Sequence, residues 1–211
     1  MGWREDVKLG IGRIGTLFLG DDNGQMGTEI TVTPTELNSL DHSGNLVADE
    51  NGAGMDGQVE TYRWNDQGNI ITEIQVDIGG CTVTGTAQGS AIGLTTIDGC
   101  YVGRYVLATY GNIYKIEMIC VETPTEGDST FEQDVDLCYT TASDIKAGED
   151  VDVDIIAAAR DWVVGEMAQN IIPKLTPDGD YLYLATGDTA GDTGTYAAGQ
   201  FILRFYGHAA L

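Results

Sequence analysis

The sequence predicts an all-β protein, a β-sandwich or jelly roll (residues 28–211) behind an extended, Gly-rich N-terminal arm (residues 1–27). Three observations carry this. About ten short runs alternate apolar and polar side chains with the two-residue period of a half-buried strand. Turn signals rich in Gly, Asp and Asn punctuate them. Helical readings are confined to a turn at Thr35–Leu40 and a short helix at Val153–Arg160.

The arm carries Gly10, Gly12, Gly15, Gly20, Gly24 and Gly27, and repeated Gly disfavours a helix. Its apolar teeth are Leu9, Ile11, Ile14, Leu17, Phe18 and Leu19, which suits docking on another chain. Arg4, Lys8 and Arg13 against Glu5 and Asp6 make the first 13 residues net +1, three minus two. Asp21–Gly24 then reads as a turn.

Thr28–Thr33 alternates as a strand and Pro34 stops it; Asp41–Gly57 reads as a mobile loop. Val59–Trp64 and Ile70–Ile78 are strands joined by a turn at Asp66–Asn69, with Ile70, Thr72, Ile74, Val76 and Ile78 on one face. Cys81–Thr86, Ala91–Thr96 and Tyr101–Ala108 continue the pattern. Ile113–Glu122 is the clearest central strand, with Tyr114, Ile116, Met118 and Cys120 facing one way. Pro124–Ser129 reads as an exposed acidic loop. Phe131–Tyr139 sets Val135, Leu137 and Tyr139 against Glu132, Asp134 and Asp136. In Asp150–Arg160 the first half alternates like a strand, but the Ala run favours a helix. Trp162–Ala168 reads as a strand.

The chain closes on Gly179–Gly207, where Tyr181–Ala185 and Gln200–Tyr206 flank a Gly/Asp/Thr/Ala loop and read as an antiparallel pair. Alternation assigns Phe201, Leu203 and Phe205 to the core. It leaves Ile202, Arg204 and Tyr206 on a face neither fully polar nor fully apolar, where a neighbouring subunit is expected. The Asp188–Gly194 tip reads as an exposed acidic loop.

The formal net charge is -23, with only ten Lys and Arg. Phosphate binding needs clustered cations, so nucleic acid and anionic membranes are not expected partners. Such charge keeps a protein soluble and suits a saline habitat or a surface exposed on a large particle. Residues 1–6 are followed by no apolar signal region, and no run reaches the length of a membrane span, which predicts folding in a cytosol. Cys81, Cys100, Cys120 and Cys138 form no CxxC pair, so a zinc ribbon is not expected and free, buried thiols are; a Cys81–Cys100 disulfide needs an oxidising compartment.

No catalytic signature emerges. The two histidines, His42 in the acidic loop and His208 just past the last strand, read as solvated groups, and no GxSxG is present. Calcium candidates are Asp21-Asp22-Asn23, Asp150-Asp152-Asp154 and Asp188 with Asp192, but none fits an EF-hand and no metal site is assigned. Gly10–Gly15 matches the spacing GxGxxG, yet neither a buried strand before it nor a helix after it is present, so no cofactor is expected. Trp64 and Trp162 are the residues to test for sugar stacking.

Two tracts carry a family resemblance. The tract DYLYLATG, its loop and TYAAGQFILRFYG resemble the end of small virion proteins of tailed phages, marine ones in particular. IYKIEMICVETPTEGDSTFEQDVDLCYTTASD is similar too, so that the resemblance covers about Ile113–Gly207. It implies a non-enzymatic capsid decoration, or cement, protein on the virion surface, with the major capsid protein as partner, and it carries over no catalytic residues. Charge fits that role: the acidic body faces outward, while Arg4, Lys8, Ile11, Arg13, Leu17 and Phe18 of the arm, with Ile202, Arg204 and Tyr206, are the expected contacts. Self-association, as a homotrimer or another closed oligomer, fits the same use. Rival readings are a tail or neck protein, a carbohydrate-binding β-sandwich on a virion, and an acidic β-sandwich enzyme from a saline source.

Overall fold

A computed structural model describes residues 50–84, 89–94, 97–126, 134–151, 153–156, 161–171, 173, 175, 178–187 and 193–209, and the backbone of 17–18, 29–30 and 45–47. The chain divides into two compact units, residues 1–45 and 46–211. In the first, β1 (Leu17–Phe18) pairs antiparallel with β2 (Glu29–Ile30), Leu17 opposite Ile30 and Phe18 opposite Glu29.

The second unit is an all-β sandwich of antiparallel sheets. Its strands are β3 (Asn45–Val47), β4 (Val59–Asp66), β5 (Asn69–Asp77), β6 (Thr82–Val83), β7 (Tyr101–Arg104), β8 (Asn112–Glu126), β9 (Val135–Thr140), β10 (Val153–Ile156), β11 (Met167–Ile171), β12 (Tyr181–Thr186) and β13 (Gly194–His208). The larger sheet runs β11-β8-β13-β5-β4-β3, with β6 added to the start of β13; the smaller runs β10-β9-β12-β7. The β4–β5 hairpin turns on Gln67 and Gly68, both at positive φ, as a two-residue hairpin loop requires.

The alternation read in the sequence sets the core. Val76–Phe201–Cys120, Ile74–Leu203–Met118 and Thr72–Phe205–Ile116 form three buried cross-strand rows on the larger sheet. Val135 and Leu137 of β9 and Leu182 and Leu184 of β12 join the same cluster from the smaller sheet. The far side of that smaller sheet is also covered, by Cys100, Ala147 and Val151 packing with Cys138, Tyr183 and Ala185. Both faces of β9 are therefore buried, and Asp134 and Asp136, expected on a solvent face, lie inside.

The closing stretch departs from expectation. β12 belongs to the smaller sheet, between β9 and β7, and β13 to the larger, between β8 and β5. The two runs are not a hairpin; the chain crosses from one layer to the other between them. Alternation identifies a strand but holds no information on which sheet receives it.

Other segments are corrected too. Val153–Ile156 is a strand paired with β9, not the start of a helix, because its β-branched alternation completes the smaller sheet; residues 157–160 lie outside the described residues. The predicted strand at Tyr101–Ala108 ends at Arg104, and helix α1 (Leu107–Tyr110) follows, closed by Gly111 at φ 68. This end of α1 crosses β13 so closely that a Cβ on Gly207 would overlap the Tyr110 carbonyl oxygen. β8 runs through Pro124, which is buried where the β8–β13 register is irregular, a place that tolerates a missing N–H. Part of the predicted loop at Asp41–Gly57 is ordered: β3 forms, and a 3-10 turn at Ala53–Met55 is tied by the Asn51 amide, which donates to the Met55 carbonyl at 2.9 Å.

Trp162 is no strand residue. It sits fully buried, edge-on to Phe201 at 5.6 Å between ring centroids, and its indole N–H donates to the Val135 carbonyl at 2.7 Å. A turn follows, in which the Glu166 N–H donates to the Val163 carbonyl and Gly165 takes φ 87, and β11 begins only at Met167.

Candidate interaction face of the larger sheet

The outward face of the larger sheet is built by register. Reading across β4, β5, β13, β8 and β11, one row is Glu60–Gln75–Ile202–Ile119–Met167, the next Tyr62–Glu73–Arg204–Glu117–Gln169, and the third Trp64–Ile71–Tyr206–Lys115–Ile171. An antiparallel sheet with one solvated face ordinarily alternates apolar-in and polar-out. Here Ile71 is buried, Ile119, Ile202, Trp64 and Tyr206 are half-buried, and Met167 and Ile171 are exposed.

The charges on this face are paired with one another. Arg204 donates through Nε and a terminal nitrogen to Glu73 Oε2 at 2.9 and 2.7 Å. Tyr206 donates to Glu117 Oε2 at 2.6 Å, and Lys115 bridges to Glu117 at 2.5 Å while lying 4.9 Å from the centroid of the Tyr206 ring. The Gln75 amide donates to Glu73, and Tyr62 to Glu60. Burial alone pushes the Glu117 carboxyl up, but hydrogen bonds from Lys115 and Tyr206 and the charges of Lys115 and Arg204 outweigh it and hold the pKa below its ordinary value. Burial, then the hydrogen bond to Glu117, pushes the Tyr206 phenol up to about 12. Beyond one end of the rows a depression of about 300 Å3 opens between Glu60, Gln75, Asp77, Val121, Gln200 and Ile202.

Of the expected contact residues, Ile202, Arg204 and Tyr206 stand together in the middle of this face. Leu17 and Phe18 form β1 in the first unit, where only the backbone is described. Arg4, Lys8, Ile11 and Arg13 lie outside the described residues. Sequence reasoning did not single out Glu73, Glu117, Lys115, Met167 or Ile171. Their positions follow from the same alternation, but their meeting depends on strand order.

Several other chemistries find no support here. Trp162 is sealed in the core and cannot stack on a sugar, so it forms no exposed platform with Trp64. His208 is the last residue of β13, exposed, with its ring stacked on Tyr114 at 4.5 Å. All four cysteines are free and buried. Burial raises the thiols, Cys81 to about 12 and Cys100 and Cys120 to about 11, and since the thiolate is the nucleophile none of these three is poised to react at neutral pH. Of the calcium candidates, Asp154 accepts the Cys138 S–H at 3.2 Å, while Asp152, Asp188, Asp192 and the Asp21–Asn23 turn lie outside the described residues. Among the described residues no three His, Cys, Asp or Glu gather as a metal site, and no helix is long and apolar enough to cross a membrane. No family model, curated protein or solved structure matches this chain.

Proposed function

We propose that this protein is a non-enzymatic structural subunit that decorates and stabilises a tailed-phage capsid, docking the outward face of its larger sheet on the major capsid protein. The observation that carries the reading is the charge of that face. Its three rows hold Glu60, Glu73 and Glu117 against Lys115 and Arg204, two minus three or -1, on a chain of -23. Four of those five charges are already matched by hydrogen bonds or ion pairs within the face, and Glu60 accepts from Tyr62. Covering such a surface removes apolar area from water and leaves Glu60, at the end of its row, as the one carboxylate of the face for the partner to match. The phage-like tracts of the second half supply the partner, and the acidic remainder of the surface suits the outside of a particle.

The test is co-sedimentation of the purified full chain with expanded capsids. Wild-type protein pellets with them to a saturating ratio. Ile202→Asp, which puts an unpaired charge in the centre of the face, weakens binding by about a hundredfold, the scale of a fully desolvated interface position. Deletion of Met1–Gly20 weakens it separately if the arm takes part. Wild-type protein that stays in the supernatant, or Ile202→Asp that pellets like wild type, overturns the proposal.

A further inference from the structure

The depression of about 300 Å3 at the end of the outward face is built by register. Gln58, Asp77 and Gln200 form the row beyond Glu60–Gln75–Ile202: the Asp77 N–H donates to the Gln58 carbonyl, and Gln200 stands opposite Asp77. Val59, Val76 and Phe201, between the two rows, turn into the core. On the β8 side the register slips, Phe201 facing Cys120 but Gln200 facing Glu122. Val121 is thereby left on a bulge and stands 42% exposed at the rim. The depression is open at Gly57, which takes φ 74 and where an added Cβ would meet nothing within 4 Å.

The chemistry of this depression is one-sided. Glu73 and Glu117 on the same face each have a cation beside them, but among the described residues neither Glu60 nor Asp77 has a Lys or Arg within ion-pair distance. Tyr62 donates to Glu60 at 2.8 Å and the Gly79 N–H to Asp77 at 2.7 Å, which fixes both carboxylates and leaves their charge unmatched. The Gln75 amide N–H donates to Glu73 and that of Gln200 to Asp77, so each carboxamide has its oxygen left to offer. Val121 and Ile202 add apolar walls. We infer that this depression receives a Lys or Arg side chain of the capsid protein, its alkyl stem against Val121 and Ile202 and its cationic head between Glu60 and Asp77; the inference rests on the docking proposed above. Acceptors with apolar walls suit a long side chain that is apolar along its stem and charged at its tip. A hard divalent cation needs six or more converging oxygens, and among the described residues no three acids gather. The volume stands at the lower end for small-molecule pockets, the size of a side chain and not of a nucleotide or an oligosaccharide. Docking covers both carboxylates whatever lies opposite, and a covered carboxylate without a counter-charge is strongly destabilising, so the partner must bring the cation. A second copy of this chain is the poorer source, with ten basic residues against 33 acids. The enclosed pair is screened by salt much less than an exposed one.

Titration of expanded capsids with the full chain, read by co-sedimentation, separates this contact from docking itself. The double variant Glu60→Gln, Asp77→Asn removes both charges at exposed positions and keeps the acceptors used by Tyr62 and Gly79. It is expected to raise the apparent dissociation constant about tenfold or more. Asp66→Asn, which removes a charge at the far end of β4, is expected to stay within about twofold of wild type. Capsids that remain intact after acetic anhydride has neutralised their lysines, or phenylglyoxal has blocked their arginines, identify the cation. One of the two treatments lowers wild-type binding to the level of the double variant and leaves the double variant where it was. A double variant that binds like wild type, an equal loss in Asp66→Asn, or treatments that weaken both proteins alike or neither overturns the inference and leaves docking standing. Wild-type protein that stays in the supernatant overturns both.

Discussion

Trp162→Phe tests how the two layers of the sandwich are held together. The indole is wholly buried, packs edge-on against Phe201 of the larger sheet, and donates to Val135 of the smaller one. Phenylalanine keeps most of the packing against Phe201 but removes the donor, so the Val135 carbonyl loses its 2.7 Å partner in an apolar setting. Losing the partner of a buried polar group costs about 1–3 kcal/mol. Trp162→Ala adds a cavity, and large-to-small changes of this kind cost about 3–5 kcal/mol before the orphaned carbonyl is counted. For a chain of this length each kcal/mol lowers Tm by about 2–4 °C, so Trp162→Phe is expected to melt about 2–12 °C below wild type. Equilibrium unfolding in urea, followed by far-ultraviolet circular dichroism, measures both variants. An unchanged m-value shows that stability alone has moved. A Trp162→Phe loss below about 0.5 kcal/mol refutes the argument, because surface-like positions give changes of that size and a sealed, hydrogen-bonded indole does not.

Two further outcomes follow from titratable groups. The four thiols are buried, so a thiol reagent at mildly alkaline pH is expected to modify none in the native protein and four after unfolding in urea; rapid labelling of the folded chain contradicts the packing around them. Glu117 has a folded pKa held below its unfolded value, so its contribution to stability is present above the ordinary glutamate range and fades as pH falls through the folded value. Tyr206 has the opposite sign: its folded pKa of about 12 stands above the unfolded one, so its contribution is present below the unfolded tyrosine value and is lost as pH rises toward 12. Tyr206→Phe is expected to lower stability by about 1 kcal/mol at neutral pH, the scale of a partly exposed charged hydrogen bond, and to flatten both flanks of the pH–stability curve. Identical curves for variant and wild type would sink this account of the pair.

Much of the fold was legible because alternation and turn residues are local. The β4–β5 hairpin, the core face of β5, the core positions Ile116, Met118 and Cys120 of β8 and the split of Phe201, Leu203 and Phe205 from Ile202, Arg204 and Tyr206 all follow from period two, whereas a register shift opposite Gly207 packs Ile113 on the core in place of Tyr114. What failed was long-range or competitive. Tyr181–Ala185 and Gln200–Tyr206 look like a hairpin because they are adjacent in sequence and equally apolar, and nothing local says that a sandwich will place them in opposite layers. Asp134 and Asp136 read as solvent-facing because burial of the outer side of β9 depends on residues 147 and 151 folding back over it. Trp162 read as a strand residue because an aromatic beside two valines fits a strand as well as it fits a plug. The interaction face was half legible: its β13 column came from one strand, while Glu73, Glu117 and Lys115 joined it only through register.

That register also explains where the scarce cations went. A chain with ten basic residues and 33 acids cannot neutralise its surface generally, so any neutral region must be assembled by placement. Arg204 and Lys115 are set on neighbouring strands against Glu73 and Glu117, and beyond them β11 contributes Met167, Gln169 and Ile171 without charge. At physiological ionic strength screening acts over about 8 Å, so acids a nanometre away hardly reach a contact while those inside it count in full. A -23 chain can therefore pack against neighbours provided that the contact itself is neutral. Raising salt should then change docking of the outward face on capsids far less than it changes the solubility of the chain. A steep salt dependence of capsid co-sedimentation would mean that charged surface lies in the contact, and that the outward face is not where the protein docks.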